Sequence, residues 1–249
     1  MSDFNRGYPR TAPAGTADMA VDAGLRAFML GVYNKMALGL VLSAALAFVT
    51  SQVAPVRDLL FRVNAEGTLV GLTLLGMAVA IAPVVVLLFG RMAVRQTPQS
   101  SGIVYWLVVA LFGASLGDLA LIYRIGSIFE TFLITATAFG GLSLIGYTTK
   151  KDLSGFGSFL VMGVFGLIIA SLVNIFLHSS AIAFAVNVLG LLIFAGLTAF
   201  DTQRLKMTYY QLGGDQAALG VATNYGALSL YLDFLNMFMF LLQLFGGRR

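Results

Sequence analysis

Apolar residues fall into seven long runs along the chain, separated by short polar segments. The runs cover residues 32–53, 69–89, 103–123, 129–146, 159–176, 181–200 and 225–245. Each is continuous and close to the ~20 residues that a helix needs to cross a bilayer. None shows the every-second-residue alternation of a membrane β-barrel. The pattern therefore predicts an all-α integral membrane protein, a bundle of seven transmembrane helices.

The fifth and sixth runs belong to one stretch, residues 153–200, that contains no Asp, Glu, Lys or Arg. This stretch is far longer than one crossing requires, so the chain has to turn back within it. The polar sequence His178-Ser179-Ser180 interrupts the apolar residues near the middle. We therefore predict a tight hairpin at His178.

The N-terminal segment differs from the rest of the chain. Residues 1–24 are polar, contain Pro9 and Pro13, and lack the apolar core of a secretory signal. We interpret them as a disordered cytoplasmic tail. Residues 25–249 are then the transmembrane domain, and the mixture of charged and apolar residues over 18–35 predicts an interfacial helix that leads into the first span.

The composition excludes an ordinary soluble domain. Of the 249 residues, 59% are hydrophobic and 10% are charged, whereas about a quarter of a soluble domain is charged. The outer surface must therefore face lipid. Cysteine is absent and His178 is the single histidine, so we expect neither a metal site nor a cofactor.

Lys and Arg residues indicate the orientation of the chain, because cytoplasmic loops are enriched in them. The tail and the loops on its side of the membrane hold Arg6, Arg10, Arg26, Lys35, Arg91, Arg95, Lys150, Lys151, Arg204 and Lys206. The opposite side holds Arg57, Arg62, Arg124, Arg248 and Arg249. We predict a cytoplasmic N-terminus and, in a bacterium, insertion in the inner membrane. The scattered basic residues form no patch that would bind nucleic acid.

Asp233 is the clearest functional candidate, since an ionisable group inside an apolar span is costly. It lies well inside the last run, where it cannot face lipid cheaply. Asn236 and Gln243 follow it on the same helical face. We interpret them as a polar stripe that lines a pore in the bundle. Hydrogen bonds to neighbouring helices are the alternative explanation.

Asp201 ends the sixth run, and Thr198 and Asn187 lie on its helical face as further candidates to line a pore. In the predicted topology Asp201 and Asp233 lie toward the same side of the membrane and can approach each other. Two carboxylates in a low-dielectric site cannot both ionise easily, so they would titrate as a pair. Arg91, at the cytoplasmic end of the second span, is on the correct side to favour their ionised forms. It would equally serve as an ordinary interfacial anchor.

Several segments resemble the Bax inhibitor-1 family, also called the transmembrane Bax inhibitor motif family. The clearest is SLYLDFLN at residues 229–236, followed by LLQLFG at 241–246. FDTQ at 200–203, GYTTKKDLS at 146–154 and VYNKMALGL at 32–40 match family segments in the same order. The likeness covers nearly the whole chain after the tail.

The resemblance implies a seven-helix bundle with the last helix at its centre and a pH-dependent leak of calcium across the membrane. By motif, Asp201 and Asp233 would be a di-aspartyl pH sensor that gates the leak. Arg91 resembles, in position only, an arginine that latches one of these carboxylates. The polar segment 204–224, interpreted as a long loop, departs from the family pattern. The implied partners are calcium or another cation and the lipid bilayer.

Two other function classes remain open. Some members of the family associate with membrane-bound proteases, so the chain would be a regulator that binds another membrane protein and transports nothing. Intramembrane aspartyl proteases also place one Asp on each of two consecutive helices. Their second Asp follows a Gly-x-Gly motif, whereas Leu230-Tyr231-Leu232 precedes Asp233 here. We therefore expect no enzymatic activity.

Overall fold

The computed structural model describes residues 14–65, 68–93 and 95–248, without the side chains of residues 14–22 and 91–93. The described residues form helices and one short β-hairpin. In chain order the elements are α1 (Ala14–Gln52), α2 (Ala54–Leu60), β1 (Phe61–Val63), β2 (Leu69–Leu72), α3 (Leu74–Ala93), α4 (Pro98–Ser115), α5 (Gly117–Ile122), α6 (Ile125–Thr148), α7 (Ser154–Leu177), α8 (Ser180–Leu212) and α9 (Gln216–Phe245).

The predicted bundle of seven helices is confirmed. Six helical segments in the described part of the chain are long and apolar enough to cross a membrane: α1, α4 continued by α5, α6, α7, α8 and α9. The seventh, α3, has 20 residues and is about 30 Å long, which matches the hydrocarbon core of a bilayer. The α2 helix and the β-hairpin join α1 to α3, and short turns join the later crossings, so crossings that are neighbours in sequence run antiparallel.

The first helix begins earlier than the first apolar run. Residues 1–13 lie outside the described residues, and α1 starts at Ala14. The boundary expected between residues 24 and 25 therefore falls inside a helix. The segment 18–35, expected as a separate interfacial helix, belongs to the same continuous α1.

The predicted start of the second span, at residue 69, is wrong. Leu69–Leu72 form β2, which pairs antiparallel with β1, and α3 begins at Leu74. The Thr73 hydroxyl accepts a hydrogen bond from the Gly76 N–H at 3.0 Å and so marks the change from strand to helix. Hydropathy alone does not separate a short apolar strand from the first turn of a helix.

The hairpin predicted at His178 is confirmed. Helix α7 ends at Leu177, and His178 adopts a left-handed conformation with φ of 49°. The Asn174 side chain accepts a hydrogen bond from the Ser179 N–H at 3.0 Å. Ser179 in turn caps α8 by accepting from the Ile182 N–H. We call this side of the bundle the His178 end.

The long loop expected over residues 204–224 is wrong. Helix α8 continues to Leu212 and α9 starts at Gln216, so only three residues separate them. Gly213 and Gly214 take positive φ angles of 57° and 89°, which glycine adopts without a steric penalty. The Asp215 carboxylate then caps α9, accepting from the Ala217 N–H at 2.9 Å. We call this side of the bundle the Gly213 end.

Helix α9 lies at the centre of the bundle, as the family resemblance implies. It packs against α1, α4, α6 and α8 and is the most buried of the long helices. Fully buried Tyr231 places its hydroxyl oxygen 2.6 Å from Ser43 Oγ of α1. The Ser43 hydroxyl also donates to the Val109 carbonyl of α4 at 3.1 Å. These contacts fix the middle of α9 against two neighbouring helices.

A polar clamp joins the same three helices at the Gly213 end. Lys35 of α1 donates to the Asn224 side-chain oxygen of α9. The Asn224 amide donates to the Pro98 carbonyl at 2.7 Å and to Ser101 Oγ at 2.8 Å, both on α4. The Tyr105 hydroxyl donates to the Lys35 carbonyl at 2.7 Å. The clamp therefore fixes the position of α9 along the bundle axis relative to α1 and α4.

Gln203 ties α8 to the turn between α6 and α7. Its side-chain nitrogen donates to the Lys151 carbonyl at 2.7 Å, and its side-chain oxygen accepts from the Leu153 N–H at 2.8 Å. In the same turn the Ser154 N–H donates to Asp152 Oδ1 at 2.8 Å and lowers the pKa of that exposed carboxyl group. Because Gln203 is two residues from Asp201, these bonds also fix the position of Asp201 along the long axis of the bundle.

Candidate functional site at Asp201 and Asp233

Asp201 is buried between the two last helices of the bundle. Its side chain sits on α8, and the residue is 7% exposed. The neighbouring Thr198 and Thr202 are fully buried, and their hydroxyls donate to carbonyls one turn back along α8. These two hydroxyls therefore do not hydrogen-bond to the Asp201 carboxylate, whose partners are Arg204 of α8 and Ser229 of α9.

The charged partner of Asp201 is Arg204. Arg204 Nη2 lies 3.2 Å from Asp201 Oδ1, one turn further along α8. The same guanidinium nitrogen donates to Ser229 Oγ of α9 at 3.2 Å. Arg204 is half-exposed, whereas the Asp201 side chain is nearly buried. The arginine therefore links the buried carboxylate to the surface and bridges α8 to α9.

Asp233 lies on α9 and is 5% exposed. Its Oδ2 atom is buried and has no hydrogen-bond partner among the described residues. Two charged groups act on it electrostatically, the Asp201 carboxylate and the Arg204 guanidinium. A buried polar atom without a partner is rare in folded proteins because of its desolvation cost. This oxygen is therefore positioned to take up a proton or a cation.

Close packing of glycines brings the site together. A Cβ atom on Gly146 of α6 would lie 2.2 Å from the Ala199 carbonyl oxygen of α8. A Cβ atom on Gly226 of α9 would lie 2.4 Å from a methyl group of Leu205. Both approaches are within about one turn of Asp201 along α8. They allow α6 and α9 to approach the acidic segment more closely than larger residues would permit.

A cavity of about 700 Å³ reaches the site from the Gly213 end. Arg204 and Ser229 line it, together with Thr208 and Tyr225. Asp201 and Asp233 are not among the described residues that line this cavity. Arg204 lines it and pairs with Asp201, so the arginine connects the cavity to the acidic pair.

The site residues predicted from the sequence lie in two separate places in the structure. Asp201, Asp233 and Thr198 come together, and the Thr198 hydroxyl also contacts the Met237 sulfur at 3.4 Å. Asn236 and Gln243 instead line a second cavity of about 390 Å³. These two residues are further along α9, toward the His178 end.

Asn187 and Arg91 are not part of the described cluster. Asn187 is half-buried on α8, almost four turns before Asp201, and lines neither of these two cavities. The side chain of Arg91 lies outside the described residues. Its role as a latch therefore stays a prediction.

Arg204 was missed as a site residue because the sixth span was expected to end at residue 200. Had α8 been extended, the spacing of three residues from Asp201 would have placed both side chains on one helical face. Ser229 carried no comparable signal, since an isolated serine in an apolar helix is common. Its position beside Arg204 depends on how α8 and α9 pack.

Comparison with known proteins assigns the family. The family model described as "Inhibitor of apoptosis-promoting Bax1" matches residues 25–249. An uncharacterized protein of Caulobacter vibrioides is 64% identical over the full length of both chains. The uncharacterized protein RP147 of Rickettsia prowazekii is 42% identical over 97% of this chain and 98% of its own.

A further relative is named for its location in the cell. The inner membrane protein YbhL of Escherichia coli K12 is 41% identical over 91% of this chain and 94% of its own. The match of the family model extends over all seven membrane-spanning helices except the first residues of α1. The chain therefore belongs to the Bax inhibitor-1 family and is a multi-pass membrane protein.

Proposed function

We propose that this protein is a pH-sensitive cation leak of the inner membrane, with calcium as its ion and without enzymatic activity. Asp201 and Asp233 form its sensor and gate. The observation that carries the proposal is the buried Asp233 oxygen that lacks a hydrogen-bond partner among the described residues and lies within electrostatic range of Asp201 and Arg204.

The charge of this cluster depends on a single proton. With both carboxylates ionised, Asp201, Asp233 and Arg204 together carry one net negative charge. Uptake of one proton makes the cluster neutral, and binding of a cation competes with that proton. Because α8 and α9 each contribute a carboxylate, the change in repulsion acts directly on the contact between these two helices. Uptake of the proton would therefore change how α8 packs against α9.

Calcium is the ion that the family resemblance implies. Carboxylate oxygens are suitable ligands for a hard divalent cation. The side-chain oxygens of Asn236 and Gln243, in the second cavity, are of the same hard type. Orientation with the N-terminus in the cytoplasm is proposed from the distribution of Lys and Arg.

Purified protein in liposomes tests the proposal. A fluorescent calcium indicator inside the liposomes would report influx at a series of external pH values. We expect a flux that varies with pH in the wild type, and a flux that loses its pH dependence in Asp201→Asn and Asp233→Asn. Asp58→Asn is the matched control, because Asp58 is exposed and pairs with Arg57 away from the site. Its pH profile should equal that of the wild type.

The same preparation separates the rival functions. No flux above that of empty liposomes at any pH would favour a regulator that binds a membrane-bound protease or another membrane protein. Cleavage of a labelled transmembrane peptide, abolished by Asp233→Asn, would instead favour an intramembrane aspartyl protease. A pH-dependent flux that both Asp201→Asn and Asp233→Asn leave unchanged would rule out the di-aspartyl gate.

A further inference from the structure

Two cavities approach the centre of the bundle along a single face of α9. Tyr225, Ser229 and Leu232 line the cavity at the Gly213 end. Leu232, Asn236 and Gln243 line the second cavity. The spacings of three, four and seven residues place all of them on one helical face. Leu232 is common to both cavities and lies at the point where one ends and the other begins.

Helix α3 also contributes residues to both cavities, one set near each of its ends. Val86 and Leu87 line the cavity at the Gly213 end, whereas Val79 and Gly76 line the second one. Pro83, which lies between these two pairs, is fully buried. The apolar ring of a proline thus occupies the level at which the two cavities are separated.

Helix α4 repeats the arrangement with a third apolar residue. Val104 lines the cavity at the Gly213 end, and Phe112 and Ser115 line the second cavity. Val108, midway between Val104 and Phe112, is 0% exposed. Three helices therefore each place one apolar residue between the two cavities.

We infer that Leu232, Pro83 and Val108 form an apolar seal which separates two vestibules of one permeation path. The inference deepens the proposed cation leak and rests on it. A cation crossing this level would have to shed water between three apolar side chains, which supply no replacement ligands. Leu232 is the movable part of the seal, since it is only half-buried, whereas Pro83 and Val108 are fixed by packing.

Leu232 also stands beside the proposed sensor. It precedes Asp233 in α9, so both belong to one helical turn. Any displacement of α9 that follows a change in its contact with α8 will therefore move Leu232 with Asp233. The seal and the sensor are consecutive residues of one rigid element.

The absence of cysteine in the chain permits a direct test by thiol labelling. Single variants Ala222→Cys, Leu232→Cys and Ser115→Cys would be reconstituted in oriented vesicles and treated with a charged, membrane-impermeant thiol reagent on one side at a time. Ala222 lines the cavity at the Gly213 end and Ser115 lines the second cavity. We expect each of these to be labelled from its own side only, and Leu232→Cys to be protected from at least one side. Labelling of Ala222→Cys and Ser115→Cys from the same side would overturn the inference.

Calcium flux supplies the second arm of the test. At the pH of lowest wild-type flux, Leu232→Ala and Leu232→Asn should raise the flux about tenfold, because a wettable constriction no longer blocks ions. Leu244→Ala is the matched control, since Leu244 is a half-buried leucine of α9 that lines neither cavity. Its flux should stay at the wild-type level.

The outcomes of the flux arm are distinguishable. If the wild type leaks and Leu232→Ala leaks no more, the seal is wrong and the proposed function stands. If neither the wild type nor any Leu232 variant leaks, both proposals are wrong. Equal increases in Leu232→Ala and Leu244→Ala would show general loosening of α9 and would also overturn the seal.

Discussion

Arg204 pairs with Asp201 across one turn of α8, with 3.2 Å between its Nη2 atom and Asp201 Oδ1. The pair is asymmetric, because the arginine is half-exposed and the carboxylate side chain is nearly buried. Through its bond to Ser229 the same arginine also contacts the helix that carries Asp233. The cation of this site therefore comes from within α8, close in sequence to one of the acids that it neutralises.

Removal of this cation should shift the pH dependence of the proposed leak. In Arg204→Gln the ionised carboxylates lose a favourable charge, so they take up a proton at a higher pH. We expect the pH midpoint of calcium flux to rise by about one unit. The shift stays this small because solvent screens the charge of the half-exposed arginine. Lys206→Gln is the control, since Lys206 donates to the Tyr147 carbonyl and leaves the acidic pair untouched. Equal shifts in both variants would point to a general surface-charge effect.

The two aspartates should act as one titrating unit. Asp201→Asn and Asp233→Asn each remove one member of a pair that interacts electrostatically. The effect of the double variant on the pH profile should therefore equal that of the stronger single variant, rather than the product of the two. The pH profiles of the single and double variants would be measured by recording proton flux and calcium flux in the same liposomes. Multiplicative effects would mean two independent sites.

Gly146 should be intolerant of even a methyl group. A Cβ atom there would meet the Ala199 backbone oxygen at 2.2 Å, and backbone cannot move aside as a side chain can. We expect Gly146→Ala to lower the free energy of unfolding by about 1–3 kcal/mol. SDS titration in mixed micelles would measure the loss. Gly140→Ala on the same helix is the control, because nothing lies within 4 Å of its Cβ position.

Asn224 should be more important for stability than its polarity suggests. Asn224→Ala leaves the Lys35 ammonium without its acceptor and removes both bonds to α4. Loss of a buried partner of this kind costs about 1–3 kcal/mol. The apparent melting temperature in detergent should fall, whereas Asn34→Ala, at an exposed position of α1, should leave it unchanged. An equal fall in melting temperature in both variants would show that the polar clamp does not account for the loss of stability.

The orientation of the chain can be tested with two reporter fusions at its C-terminus. A cytoplasmic N-terminus and seven crossings put the C-terminus on the opposite side of the membrane. Alkaline phosphatase fused after residue 249 should be active in intact cells, and green fluorescent protein at the same place should stay dark. The reverse pattern would invert the proposed topology and the side of the membrane from which each cavity opens.

Hydropathy and the cost of buried charge predicted most of this molecule. The apolar runs predicted every crossing, and the uncharged stretch around His178 required the hairpin that the structure contains. Asp201 and Asp233 could be selected because lipid penalises each of them on its own. Because consecutive helices run antiparallel, the two residues could also be expected at a similar depth in the bundle.

The remaining features depend on information that hydropathy does not carry. The segment Leu69–Leu72 is apolar in a strand as much as in a helix, so its pairing with β1 was invisible. The extension of α8 beyond residue 200 is polar because it projects past the hydrocarbon core: its 33 residues span about 50 Å, against about 30 Å of core. Arg204 lies in that extension, and its role was therefore hidden.

The central place of α9 sets the order in which the protein can assemble. Ribosomes complete this helix last, so the first six crossings enter the membrane before the element that they surround exists. Until then Ser43, Ser101 and the Pro98 carbonyl lack the partners that α9 supplies. A nascent chain that stops before α9 begins at Gln216 would thus leave these groups without their α9 partners and open to membrane quality control. Closure of the bundle therefore waits for the synthesis of α9, the helix around which the others pack.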